Sequence, residues 1–155
     1  MLSRVLVLGA CALAFLGALP SVSRDASAGV QGEVETSLSN KDLEAILEKG
    51  MQVKYKETSA GNYKAEIAGR TILFHNHTTD LQLFCGFKKN VSLGKINEWN
   101  ATKRYCRAYL DKDGDAVLKS DFDIGSGVTE KGLAEFVSSF VKNATEFAEF
   151  IGFKG

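Results

Sequence analysis

The 155-residue chain carries 19 basic and 19 acidic residues, with 45% hydrophobic and 25% charged positions. These are ordinary globular proportions, and they exclude collagen-like, disordered and multi-pass membrane chains. A formal net charge of zero supplies no field to attract nucleic acid or an anionic membrane surface.

Residues 1–28 read as a secretory signal. Arg4 is a short positive start, Val5 to Leu19 is apolar and uncharged, Pro20 ends the run, and Ala26-Ser27-Ala28 suits signal peptidase. As a helix the apolar run rises only about 22 Å, short of a ~30 Å hydrocarbon core, so no stable membrane insertion is expected after cleavage. Leu8-Gly9-Ala10-Cys11 looks like a lipobox, but Cys11 comes too early and further apolar residues follow it. The expected location is therefore periplasmic or secreted, with 29–37 a flexible N-terminus and 38–155 one domain with a single core.

Next comes a helix with Ser39 as N-cap, Asp42 closing a capping box, Leu38 stapling onto Leu43, and Gly50 as the C′ residue. The period then drops to two. Met51, Val53 and Tyr55 alternate with polar residues, Ser59-Ala60-Gly61-Asn62 turns the chain, and Tyr63, Ala65 and Ile67 alternate again up to Ala68-Gly69-Arg70. Strands at Thr71–Phe74 and Leu81–Phe87 follow. A second helix starts at Ser92, and strands at Arg104–Leu110 and Asp115–Ile124 flank Asp111-Lys112-Asp113-Gly114. A long amphipathic helix spans about Thr129 to Phe153 and carries Leu133, Val137, Phe140, Ala144, Phe147 and Ile151 at steps of three and four. The pattern predicts an α+β fold with helices on one face of an antiparallel sheet that is wet on the other.

Cys11 leaves with the signal, so Cys85 and Cys106 remain. An even pair in an oxidising compartment is a candidate disulfide; the alternative is two free thiols acting as small hydrophobes. Asp111-Lys112-Asp113-Gly114-Asp115 departs from an EF-hand loop because its glycine is early and the closing carboxylate is missing, so a hairpin turn is expected. His75 and His77 lack a third ligand at metal-site spacing, and Gly125-Ser126-Gly127 reads as a tight turn that caps the last helix. The sequons at Asn76, Asn90, Asn100 and Asn143 are expected to be silent. No nucleophile is paired with a base, so neither an enzyme nor a cofactor is expected. Phe136, Phe150 and Phe153 widen the apolar arc of the last helix beyond one stripe, and are read as a candidate partner-binding surface.

Glu98-Trp99-Asn100, then Arg104-Tyr105-x-Arg107-Ala108-Tyr109-Leu110-Asp111, Asp113-Gly114-Asp115 and Gly127-Val128-Thr129 resemble the YbjN-domain family of bacterial sensory transduction regulators. The resemblance spans roughly Ser37 to Ile151. It implies a fold like the type III secretion chaperones: an antiparallel sheet of five or six strands with helices before, within and after it. It also implies a structural role for the motif residues Trp99, Asn100, Arg107, Tyr109, Asp113, Gly114 and Gly127, and a protein-binding or regulatory module rather than a catalyst. With the signal, this points to an envelope protein as partner, or a second copy of the chain. The alternative is a periplasmic carrier holding a small apolar ligand beneath Phe140 and Phe147; a hydrolase assembled from distant residues stands third.

Overall fold

The computed structural model describes residues 33–154, so the signal at 1–28 lies outside the described residues. The Ser39 hydroxyl accepts the Asp42 N–H at 3.2 Å, and the Asp42 carboxylate accepts the Ser39 N–H at 3.1 Å. This reciprocal box starts α1, Asn40–Ala45, which widens into a π turn over Ile46–Gly50. The Met51 N–H then donates to Ile46 O at 2.8 Å and the Val53 N–H to Leu47 O at 2.7 Å, with Gln52 at φ 55°. Backbone donors spent on the helix end cannot join a ladder, so the strand predicted from Met51 begins only at Tyr55. The left-handed residue at this helix end is Gln52, not Gly50.

Six strands and two further helices follow: β1 Tyr55–Ser59, β2 Asn62–Ile67, β3 Arg70–Asn76, β4 Asp80–Asn90, α2 Leu93–Thr102, β5 Arg107–Leu110, β6 Asp115–Asp123 and α3 Glu130–Ile151. Every pairing is antiparallel, and the order across the sheet is β1-β2-β3-β4-β6-β5. The predicted strand from Arg104 starts three residues late because Tyr105 sits at φ 64°, a conformation no ladder accepts. Along the chain α2 lies between β4 and β5, capped by the Ser92 hydroxyl, which accepts the Lys95 N–H.

Period-two alternation buries one face of the sheet. Tyr63, Ala65, Ile72, Phe74, Leu81, Leu83, Cys85, Phe87, Ala108, Ala116 and Leu118 meet Leu133, Val137, Phe140, Ala144, Phe147 and Ile151 of α3 in a single core. Trp99 of α2 is 1% exposed, and its ring centroid lies 4.8 Å from that of Phe147, edge to face. The Lys103–Glu146 ion pair, 2.7 Å, joins the end of α2 to α3. Gly152, at φ 69°, terminates α3, and its carbonyl accepts from Lys89 Nζ of β4 at 2.8 Å.

Residues 33–37 are more constrained than a loose terminus. Glu35 and Val128 exchange both backbone hydrogen bonds, at 2.7 and 2.8 Å. The crossing explains Gly127: it sits at φ 96°, and a Cβ there would stand 2.9 Å from Val34 Cγ1. The cap of α3 is Thr129, whose hydroxyl accepts the Gly132 N–H at 3.1 Å, rather than the Gly125-Ser126 pair. Those two residues instead donate to the Asp123 carboxylate at 2.9 and 2.7 Å.

Candidate protein-binding surface

The aromatic arc predicted on α3 is directed inward. Phe136 stacks on Phe122 with centroids 4.6 Å apart, Phe150 tilts against Trp99 at 5.5 Å, and Phe153 meets Phe87 at 5.4 Å. Lys95 lies over Phe150 and Arg70 over Phe153. All three rings are half-buried margins of the core, so each is packed on a neighbour rather than standing fully exposed. The arc is broad because α2 and β6 supply aromatic neighbours outside the main stripe.

Cys85 and Cys106 are free thiols, which corrects the proposed disulfide. β6 runs between β4 and β5. Two interstrand steps of about 4.8 Å each therefore separate the strand bearing Cys85 from the one that Cys106 precedes, beyond the roughly 7 Å between Cα atoms that a disulfide spans. Burial pushes the Cys85 thiol up to about 11. It also raises the Cys106 thiol, tempered by the neighbouring Trp99 indole, whose buried Nε1 has no hydrogen-bond partner.

The motif residues divide by role. Asn100 donates from Nδ2 to Ala108 O at 3.0 Å and accepts the Ala108 N–H on Oδ1 at 2.8 Å, fixing β5 to α2. In the β5–β6 turn the acid that holds the chain is Asp111, whose Oδ1 accepts the N–H groups of Asp113 and Asp115, each at 2.9 Å, while Gly114 takes φ 82°. Asp113 contributes only its backbone there. Asn76 donates to Leu38 O at 3.0 Å, so that sequon amide, like Asn100, is committed internally. Among the described residues no third His, Cys, Asp or Glu joins His75 and His77.

Arg107 and Tyr109 face the other way, onto the side of the sheet that no helix covers. There the register aligns Leu73, Phe84, Lys119 and Arg107 in one row, and Gly86, Val117 and Tyr109 in the next. His75 rests on Phe84 with centroids 4.7 Å apart, and Lys119 Nζ lies 5.0 Å from the same ring. Asp121 bridges Lys119 at 3.2 Å and Arg107 at 3.1 Å. Burial, then the charges of His77 and Lys119, hold the His75 pKa below its ordinary value. Tyr109 is 38% exposed, and Leu73, Phe84 and Val117 are half-buried, so this is an aromatic and aliphatic strip set among ion-paired side chains. Apart from Arg107 and Tyr109, its members were missed in sequence because outward positions of a strand read as polar filler. A glycine at an outward position, away from any turn, was the available signal.

A second concavity, a cleft of about 870 Å³, lies between residues 33–38, α1 and the start of α3. Beneath Phe147, Phe87 and Trp99 pack against the ring with centroid contacts at 5.3 and 4.8 Å. Among the described residues no helix is long and apolar enough to cross a membrane.

The YbjN family model, described as a putative bacterial sensory transduction regulator, matches residues 41–153. The chain belongs to the YbjN family. Comparison with curated protein sequences finds no match. Among solved structures, the YbjN fold is similar to the ExoT–SpcS complex of Pseudomonas aeruginosa, with a TM-score of 0.52 and 13% identity over 65% of this chain and 90% of that one. It is also similar to the Yersinia pestis type III secretion chaperone SycH in complex with a fragment of YscM2, with a TM-score of 0.50 and 18% identity over 67% and 94%. The heterodimeric ExoU–SpcU complex of P. aeruginosa gives 0.51 and 10% over 70% and 97%. At such identities the likeness shows the fold, that of the type III secretion chaperones. This YbjN chain thus has the expected architecture, with six strands and helices before, within and after them.

Proposed function

We propose that this protein is a non-enzymatic, protein-binding regulatory module, exported by its leader and acting in the bacterial envelope. The observation that carries the reading is the fold itself, whose solved counterparts were captured as complexes with other proteins. The packed interior supports it, because the aromatic side chains that a carrier would turn toward a ligand are spent on one another. The leader supports the envelope setting through its apolar run and the Ala26-Ser27-Ala28 site.

Affinity capture of the full chain after reversible crosslinking in intact cells of the source bacterium, read by mass spectrometry, tests the function. The expected result is stoichiometric enrichment of a defined envelope protein, competed by untagged protein. Enrichment of nothing above background overturns it. Intact mass of the exported form tests the setting: a chain beginning near Gly29 without lipid is expected, and a mass that retains residues 1–28 overturns cleavage.

A further inference from the structure

The cleft between residues 33–38, α1 and the start of α3, about 870 Å³, has the size of a ligand-binding concavity. Its floor is apolar: Leu38, Ile46, Val128 and Leu133 are buried there, and Ala45 and Ala134 are half-buried. One wall is the segment at 33–38, which is fixed before any ligand arrives. Glu35 exchanges both backbone hydrogen bonds with Val128, the Leu38 N–H donates to Thr78 O at 2.7 Å, and the Leu38 carbonyl accepts from Asn76 Nδ2 at 3.0 Å. A pre-formed wall keeps the ordering cost of binding low.

The rim is acidic. Glu33, Glu35, Asp42 and Glu130 line the cleft, and Lys131 is the one cation of the lining. Lys131 is already bridged to Glu135 at 3.7 Å. The charged residues that adjoin the lining in sequence are Lys41, Glu44, Lys49 and Glu135, two of each sign, so they leave the balance unchanged. Asp42 and Glu130 stand in the first turns of α1 and α3, where a carboxylate answers the positive end of a helix dipole. Glu33 and Glu35 answer nothing. Neither lies in a helix, and no ion pair among the described residues includes either of them. A surplus of carboxylate over an apolar floor calls for a cation carried on an apolar body. A second copy applied by the same face would set carboxylates against carboxylates.

We propose that this cleft is the docking site of the module, and that its occupant is a basic polypeptide segment. It lays an aliphatic side chain on the floor of Leu38, Ile46 and Leu133 while a Lys or Arg meets Glu33 and Glu35. The inference rests on the protein-binding reading and deepens it. The carbon stems of Lys and Arg themselves cover apolar surface while their charged ends reach the rim, and the rim pairs set orientation and salt dependence.

The test uses the folded exported chain, with a fluorescein-labelled peptide of repeated Lys-Leu-Ser as probe and Glu-Leu-Ser and Lys-Gly-Ser peptides as controls. Fluorescence anisotropy is expected to show saturable, salt-weakened binding of the Lys-Leu-Ser peptide alone. The double variant Glu33→Gln, Glu35→Gln is expected to weaken it roughly fivefold, the worth of two exposed ion pairs, at unchanged melting temperature. Glu57→Gln, Glu149→Gln, which removes the same charge elsewhere, is expected to leave binding unchanged. Ala134→Phe, which fills the cleft from α3, is expected to weaken it by roughly tenfold or more; the charge variants alone decide should it fail to fold. Equal binding by the Glu33, Glu35 variant, an equal loss in the Glu57, Glu149 variant, undiminished binding by folded Ala134→Phe, equal binding of either control peptide, or no saturable binding by wild type overturns the proposal. So does a wild-type dimer, seen by sedimentation, that Glu33→Gln, Glu35→Gln dissociates. Crosslinked capture separates this failure from that of the parent reading. A partner recovered with wild type and the Glu33, Glu35 variant alike removes this cleft and leaves the function, whereas a partner recovered with neither removes the function.

Discussion

Asn100 spends its whole amide on one neighbour, accepting from the N–H of Ala108 and donating to its carbonyl. β5 is an edge strand of four residues with one strand partner, so this clamp supplies its second side. Asn100→Ala strands a donor and an acceptor and is expected to destabilise by about 1–3 kcal/mol, the cost of leaving buried polar groups unmet, read from the urea midpoint at unchanged slope. The thiols give a second expectation at this scale. Alkylation of the unreduced, denatured protein, mapped by mass spectrometry, should label both Cys85 and Cys106. In the folded protein Cys85, buried and shifted to about 11, should stay protected; an unlabelled pair after denaturation overturns the free-thiol assignment. His75 sets a pH dependence. Its pKa lies below the ordinary 6.5 because burial, then His77 and Lys119, penalise the cation. The unfolded chain therefore takes up a proton that the folded chain refuses, so this contribution is complete above pH 6.5 and is lost as pH falls below it. The melting temperature should drop from about pH 7 to 5, with a shallower drop in His75→Gln. Glu146, held below its ordinary 4.5 by the hydrogen bond from Lys103, acts in a lower window: its contribution is present above 4.5 and is lost only as pH falls further.

The helices and hairpins differ in how much of each was legible. Caps were plain because they depend on neighbours in sequence: Ser39 with Asp42 and Ser92 with Lys95 pair at the spacing that capping chemistry requires. The strand starts at Met51 and Arg104 were misread because alternation continued past residues whose backbone goes elsewhere, with Gln52 and Tyr105 both at positive φ. The packing of the α3 aromatics was not legible for a related reason. A stripe's width says how much apolar surface a helix presents, and its cover depends on Phe122, Trp99 and Phe87, which arrive from other elements. Hence the expectation for the double variant Phe150→Ser, Phe153→Ser is a clear loss of thermal stability with unchanged association, measured by calorimetry alongside sedimentation. Phe147→Ala, which empties the contact with both Trp99 and Phe87, should cost about 3–5 kcal/mol.

At the scale of the molecule, the α+β class and the order of elements followed from periodicity, whereas the lateral order of strands did not. The insertion of β6 between β4 and β5 is invisible to any pattern along the chain. It defeats the disulfide, and it also brings Gly86, Val117 and Tyr109 into one row. The candidate surface was therefore legible only in part: Arg107 and Tyr109 stood out through their motif, while Phe84, Gly86 and Lys119 needed the register.

The hydrogen bond from Lys89 to the Gly152 carbonyl bears on the order in which the protein assembles. α3 has no basic residue in its last turn, so nothing on the helix itself answers the negative end of its dipole. The cation comes from β4, a strand paired on both sides. The final turn of α3 is thus completed by a strand far away in sequence, and it gains its full protection from fraying only when β4 has taken its place. The longest helix and the central strand then open as one unit: a slow amide in the last turn of α3 reports on the sheet, and an α3 peptide excised from the protein loses that turn first.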